Sequence, residues 1–120
     1  MEKWIIPCNI ESYDVMGAFK KLPYVNWKQS TNIEVGDIVY IYSGKPYSQI
    51  THKCKAIEIN LPNPYVIDKE FVIDNTPYHN YGRYMTLELI KTIENIDLEW
   101  LREHGFKGNM QGPRRTDFEW

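Results

Sequence analysis

The chain has 120 residues, of which 42% are hydrophobic and 14% aromatic, and its formal net charge at pH 7 is -2. This length gives one domain with one core, residues 1–120, and the composition excludes a disordered chain. The charge excludes a generally basic surface, so any affinity for nucleic acid must come from local clusters of basic residues.

The sequence carries no sign of a membrane segment. Its apolar runs are too short to cross a bilayer, and the first residues pass at once into a short strand-like run without the apolar core of a signal peptide. We therefore expect a cytoplasmic protein. Cys8 and Cys54 fall in different predicted strands without metal-ligand spacing, which predicts reduced, buried thiols. The three histidines are scattered, so we predict no metal and no other cofactor.

The first third of the chain reads as strand, helix and loop. Residues 3–8 form a compact β-branched and aromatic run, which predicts a strand. Ser12 or Asp14 can cap a short amphipathic helix over residues 14–21, and a proline ends its pattern. Residues 24–33 mix polar side chains without a period and are predicted to be a loop.

A turn at Gly36 and Asp37 begins the middle of the chain. Residues 38–42 are apolar or aromatic at every position, as in a strand that is buried on both faces. A further strand is predicted over residues 50–59, and shorter candidates follow at residues 65–67 and 70–73.

The last third contains the clearest alternation. Residues 84–93 place apolar side chains at every second position, which predicts a strand with one buried face. Asp97 caps a short helix that Gly105 ends, and residues 106–120 read as an ordered loop. Short strands and two short helices without a βαβ rhythm predict an α+β domain. Its mixed sheet is expected to curl into a small closed or nearly closed β-barrel flanked by the helices.

No phosphate-binding glycine loop and no nucleophile elbow occurs in the sequence. What stands out is a set of aromatic and small polar side chains near predicted strand ends. Aromatic rings stack on any nucleobase, and amide or hydroxyl groups can read a base edge. Trp4 serves equally well as a core residue, whereas Trp27 falls in a predicted polar loop without a packing partner. The set comprises Trp4, Asn9, Tyr13, Trp27, Tyr42 and Ser43.

Several motifs occur in an order that resembles the EVE domain of the PUA-like superfamily, which is related to YTH and ASCH domains. The resemblance covers most of the chain. It rests on WII at residues 4–6, a polar turn over 9–14, Trp27 before a polar stretch, VGDIVYIYSG at 35–44, ITHKCKA at 50–56, HGFKG at 104–108 and GPRR at 112–115.

The resemblance implies a PUA-like barrel with a pocket that receives a modified base flipped out of DNA or RNA. It implies that Trp27 stacks on the base and that Asn9, with the backbone near Cys8, reads the base edge. Tyr42 and Ser43 form the facing wall in this interpretation. The remaining expected contacts are Tyr13 and Lys28 beside the pocket, and Arg114 and Arg115 on the nucleic-acid backbone.

Two other functions stay open at this stage. ASCH domains of the same superfamily include hydrolytic and nucleolytic members, so one alternative is a hydrolase of nucleic acid or of a nucleoside. A hydrolase needs a general base, for which Glu11, Asp14 and Lys28 are the nearby candidates; no histidine is predicted there. Alternatively, the same pocket binds a free nucleoside as a small-molecule sensor. The favoured prediction is a non-enzymatic binding domain whose partner is a modified base in nucleic acid, with the oligomeric state open.

Overall fold

The computed structural model describes residues 1–11, 13–29, 32–62, 83–108, 110 and 112–120, and of Lys28 the main chain. These residues contain six strands and two short helices. In chain order they are β1 (Lys3–Cys8), α1 (Val15–Lys21), β2 (Tyr24–Lys28), β3 (Ile38–Ser43), β4 (Gln49–Leu61), β5 (Tyr84–Thr92), α2 (Leu98–Glu103) and β6 (Arg114–Arg115). The strand candidates at residues 65–67 and 70–73 lie outside the described residues.

All six strands belong to one mixed sheet in the order β2-β5-β4-β3-β1-β6. β1 and β3 run parallel, and every other neighbouring pair is antiparallel. The predicted α+β class is confirmed. The predicted barrel is wrong, because β2 and β6 lie at opposite edges of the sheet and do not pair with each other in the described part of the chain.

β2 lies where the sequence predicts a loop. Its five residues pair antiparallel with β5, so that Trp27 lies opposite Met85. The polar residue Asn26 is fully buried, and its amide donates to the Thr86 hydroxyl at 3.1 Å. A cross-strand hydrogen bond thus compensates a buried polar side chain. The loop prediction failed because this partner comes from a strand far away in the sequence.

The sheet has a core on each face, because successive side chains of a strand point to opposite faces. α1 covers one face, and we call the residues between it and the sheet the helix-side core; β3 contributes Val39 and Ile41 to it. α2 and the C-terminal tail cover the other face with the tail-side core, to which β3 contributes Tyr40 and Tyr42. The prediction that this strand is buried on both faces is therefore confirmed.

Both helices begin where a side chain caps them. Asp14 accepts a hydrogen bond from the Gly17 N–H at 3.0 Å, and Asp97 accepts one from the Trp100 N–H at 2.8 Å, as predicted. Gly105, with φ of +100°, follows α2 and ends it. The helices have seven and six residues. None of the described helices has the length and apolarity that crossing a membrane requires.

The turn before β3 is held by one carboxylate. Asp37 accepts hydrogen bonds from the N–H groups of Glu2 and Glu34 and from the Trp4 indole, at 2.9 to 3.1 Å. Burial alone raises the pKa of Asp37, but these three hydrogen bonds outweigh it and hold the pKa below its usual value. Gly36, with φ of +97°, supplies the left-handed backbone that the turn needs.

Candidate functional site

The ends of the two parallel strands form the starting point of the candidate site. Cys8 and Ser43, the last residues of β1 and β3, lie opposite each other in register. Just beyond them, the Gly44 N–H donates to the Cys8 carbonyl at 3.0 Å. Both strands therefore end at the same point of the sheet, and the segments that follow them lie at the same end of the molecule.

An aromatic pair stands beside these strand ends. The Cys8 thiol donates to the Tyr13 carbonyl at 3.8 Å, which connects β1 to the residue before the α1 cap. The Tyr13 ring meets the Trp27 ring edge to face, with 5.1 Å between centroids and an angle of 70°. Tyr13 is 8% exposed and Trp27 is 7% exposed. The pair is thus fixed within the helix-side core, with only small parts of the rings reaching the surface.

Asn9 is the exposed polar residue at this end of β1. Its side-chain oxygen accepts the Glu11 N–H at 3.0 Å, and its carbonyl accepts the Tyr13 N–H at 3.0 Å. Asparagine side chains commonly close such turns through the residue two positions on. Asn9 therefore shapes the turn that brings Tyr13 back toward the sheet, and its own side chain stays at the surface.

Ser43 continues into a buried chain of polar side chains. Its hydroxyl lies 2.7 Å from the Thr51 hydroxyl, which lies 2.7 Å from Nδ1 of His52. The ring of His52 packs against Phe19 of α1, with 4.9 Å between centroids. Burial lowers the pKa of His52 to about 4, so the ring is neutral at neutral pH.

His52 is the residue near this site that the sequence prediction missed. Ile41 pairs with His52 and Tyr42 with Ile50, so that Thr51 is an extra residue on β4. This bulge turns Thr51 and His52 toward Ser43, against the simple alternation of a strand. A regular strand pattern in the sequence gives no signal for such a bulge.

Tyr42 and Ser43 point to opposite faces of the sheet. Tyr42 lies in the tail-side core, whereas Ser43 follows Ile41 on the helix side. Burial raises the pKa of the Tyr42 hydroxyl. Lys28 ends β2 directly after Trp27 and lies opposite Tyr84. Of the expected ligand contacts, the structure joins Asn9 to Tyr13 by a main-chain hydrogen bond and Tyr13 to Trp27 by their rings. Ser43 lies opposite Cys8 but is fully buried with its hydroxyl on Thr51, and Tyr42 lies on the other face of the sheet.

Arg114 and Arg115 make up β6 at the edge of the sheet, within the tail that was expected to be a loop. Arg115 lies over the Trp4 ring at 5.2 Å and 4.0 Å from the Glu2 carboxylate. Arg114 lies over the Phe106 ring at 4.3 Å, on the tail side. The two guanidinium groups therefore flank the same sheet edge from its two faces.

Comparison with solved structures identifies the fold. An ASCH protein from Zymomonas mobilis matches with a TM-score of 0.64 and 15% sequence identity, over 96% of this chain and 87% of that chain. Human THYN1, in complex with DNA that contains 5-methylcytosine, matches with a TM-score of 0.61 and 13% identity, over 87% and 75% of the two chains. A hypothetical protein from Leishmania major matches with a TM-score of 0.64 and 11% identity, over 98% and 87%.

These similarities show that the chain has the PUA-like fold shared by ASCH proteins and THYN1. No family model and no curated protein matches the chain. The expected fold is therefore confirmed, whereas membership in the EVE domain family stays a prediction.

Proposed function

We propose that the chain is a non-enzymatic, EVE-like domain that binds nucleic acid and takes one modified base at the ends of β1 and β3. The observation that carries this proposal is the run of contacts from Asn9 through Tyr13 to the Trp27 ring beside the end of β1. The structural neighbour THYN1, in complex with DNA that contains 5-methylcytosine, supports nucleic acid as the partner.

The aromatic pair supplies the stacking surface in this proposal. Stacking of a base on an aromatic side chain contributes roughly 1–3 kcal/mol and tolerates any base. Tyr13 and Trp27 are held by packing before a ligand arrives, so little side-chain entropy is lost on binding.

Asn9 supplies base discrimination. Its side-chain oxygen is used in the turn, whereas its amide N–H groups are suited to an acceptor on the edge of a base. Lys28, next to Trp27 at the end of β2, is the proposed contact for the phosphate of the same nucleotide. Tyr42 has no direct role in this version of the site, because it lies on the other face.

The buried polar chain does not supply a general base for hydrolysis at this site. A general base is most effective when its pKa is close to the working pH. His52, with a pKa of about 4, is a weak base at neutral pH, and its Nδ1 is already bonded to Thr51. The Ser43–Thr51–His52 chain thus serves to satisfy buried polar groups.

The test measures binding of DNA and RNA oligonucleotides with and without a 5-methylcytosine, and of the free nucleoside, to Asn9→Ser. Serine keeps an oxygen that can close the turn but removes the amide, so we expect at least tenfold weaker binding with an unchanged unfolding midpoint. The matched control is Asn95→Gly, which removes an amide from a distant turn where φ is +68°.

The outcomes separate the functions. Tight binding of the nucleoside with no gain from the oligonucleotide identifies a sensor instead of a nucleic-acid reader. An Asn9→Ser variant that binds all the oligonucleotides like the wild type contradicts the proposed site.

A further inference from the structure

A concave surface lies on the opposite side of the sheet from the Tyr13–Trp27 pair. We call it the tail cleft: a cavity of about 490 Å³ between the end of α2 and the C-terminal tail. Its volume falls within the usual range of small-molecule sites, roughly 300–1,000 Å³. The side chains that the argument uses are His104, Phe106, Lys107, Arg114, Arg115 and Asp117.

The lining of the tail cleft is basic although the whole chain is not. Lys107 and Arg114 line it against one carboxylate, Asp117, in a chain with a net charge of -2, and Arg115 borders it although its guanidinium lies over Trp4. Basic groups gathered in a concave site strengthen the local field and attract anions. The tail cleft is therefore suited to an anionic ligand.

Arg114 is held in place on the wall of the cleft. Its guanidinium lies 4.3 Å from the centroid of the Phe106 ring and donates to the Lys107 carbonyl. Phe106 is itself buried, so the platform under the guanidinium is rigid. Gly108 lies beside this guanidinium: a β-carbon there would be 3.7 Å from it, and the φ of +83° is one that favours glycine. A positioned guanidinium loses less entropy when it binds a phosphate in the two-pronged geometry typical of arginine.

His104 is fixed with one nitrogen committed. Its Nδ1 lies 2.8 Å from the Trp100 carbonyl, which can only accept, so Nδ1 carries the hydrogen. The ring also stacks on Trp100 at 3.8 Å with an angle of 12°. Nε2 then carries a lone pair and is the ring nitrogen that remains to accept a hydrogen bond from a ligand.

We propose that the tail cleft binds the phosphate of a nucleotide, with Arg114 and Lys107 as the contacts. The proposal rests on the proposed function for its ligand class. Arg115 on the helix side and Arg114 on the tail side belong to the same two-residue strand, so a nucleic-acid backbone that crosses this edge meets both. The cleft thus extends the proposed interface to the second face of the sheet.

The test uses cytidine 5′-monophosphate and cytidine as probes and follows the amide NMR signals of Gly105, Gly108 and Thr116. We expect these signals to shift with the monophosphate and to stay in place with cytidine. Equal shifts with both probes, or none with either, overturn the proposal.

The matched variants are Lys107→Glu and Lys91→Glu, which make the same charge change at two exposed positions. Lys107 holds Arg114 through its main-chain carbonyl, so the substitution leaves that contact in place. We expect Lys107→Glu to weaken binding of the monophosphate about tenfold, because it removes a charge-assisted hydrogen bond. Lys91→Glu is expected to change binding less than twofold, and equal losses in both variants contradict the cleft.

The failures of the two proposals are distinguishable. Oligonucleotide binding that depends on Asn9 but not on Lys107 overturns the tail cleft and leaves the proposed function intact. Monophosphate binding in the cleft without any oligonucleotide binding supports the cleft and overturns the proposed function.

Discussion

The indole N–H of Trp4 donates to the carboxylate of Asp37 at 3.1 Å and joins the start of β1 to the start of β3. The N–H groups of Glu2 and Glu34 bind the same carboxylate. Because β1 and β3 are parallel, this contact at one end fixes the register that brings Cys8 and Ser43 together at the other end. The candidate site is thus aligned by a carboxylate that is not part of it.

Removal of this carboxylate is the first prediction. We expect Asp37→Ala to lower the free energy of unfolding by about 3 kcal/mol or more, because three donors lose a charged acceptor. Asp97→Ala, which removes an exposed helix cap, is expected to cost about 1 kcal/mol. Urea unfolding of both variants measures the difference. Equal losses would show that the hydrogen bonds to Asp37 contribute no more than a surface cap.

The pKa of His52 gives the second prediction. Burial lowers it from 6.5 to about 4, so between these values the unfolded chain binds a proton that the folded chain does not. The free energy of unfolding therefore falls as the pH drops from 6.5 to about 4, by at most about 3 kcal/mol, and this contribution levels off below that.

Stability measured against pH in His52→Gln tests this assignment. Glutamine does not titrate, so the difference between wild type and variant is expected to change through that window and to be constant above it. His104→Gln, at an exposed histidine, serves as the control. A wild-type slope that persists in His52→Gln assigns the effect to other groups.

Trp27 gives the third prediction, because its contribution to stability and its proposed contribution to base stacking can be measured separately. Its ring is 7% exposed, so Trp27→Ala is expected to lower the free energy of unfolding by about 3–5 kcal/mol. Trp27→Phe keeps an apolar ring against Tyr13 and is expected to lose less stability, while reduced stacking still weakens base binding.

Thermal unfolding and oligonucleotide titration of the phenylalanine variant are measured together. Trp120→Phe changes a tryptophan on the tail side and serves as the control. Unchanged binding by a folded Trp27→Phe variant would mean that Trp27 acts only in the core.

The two arginines of β6 give the fourth prediction. Arg114→Ala and Arg115→Ala are each expected to weaken binding similarly for all sequences and to lower the salt slope by about 1, because phosphate contacts position the strand without reading it. Titrations at several salt concentrations measure the slope, with the exposed Lys55→Ala as the control. A loss confined to one sequence or one modification would mean that the arginine contacts a base.

Local signals in the sequence predict the elements that local chemistry determines. Asp14 and Asp97 cap their helices, and the alternation in β5 places Met85 and Leu87 in one core, as predicted. β2 was missed because its hydrogen-bond partners come from β5, far along the chain, and its buried Asn26 has the composition of a loop.

The candidate site was likewise predictable only where local sequence signals determine it. The order of motifs indicates which strand ends carry Asn9 and Ser43. The resemblance put Tyr42 and Ser43 on one wall, whereas neighbouring residues of a strand face opposite sides, as the structure shows for these two. His52 depends on an extra residue in β4, which no periodic pattern reveals.

The order of strands in the sheet also bears on how the chain folds. Among the strands that the structure describes, only β3 and β4 are neighbours joined by a short turn, at residues 44–48. β1 pairs instead with β3 and with β6, which follow it at a distance along the chain. Pairings between distant segments must overcome a larger loss of chain entropy, which slows folding. We therefore expect the β3–β4 hairpin to form early and the sheet edge that carries both arginines to form last.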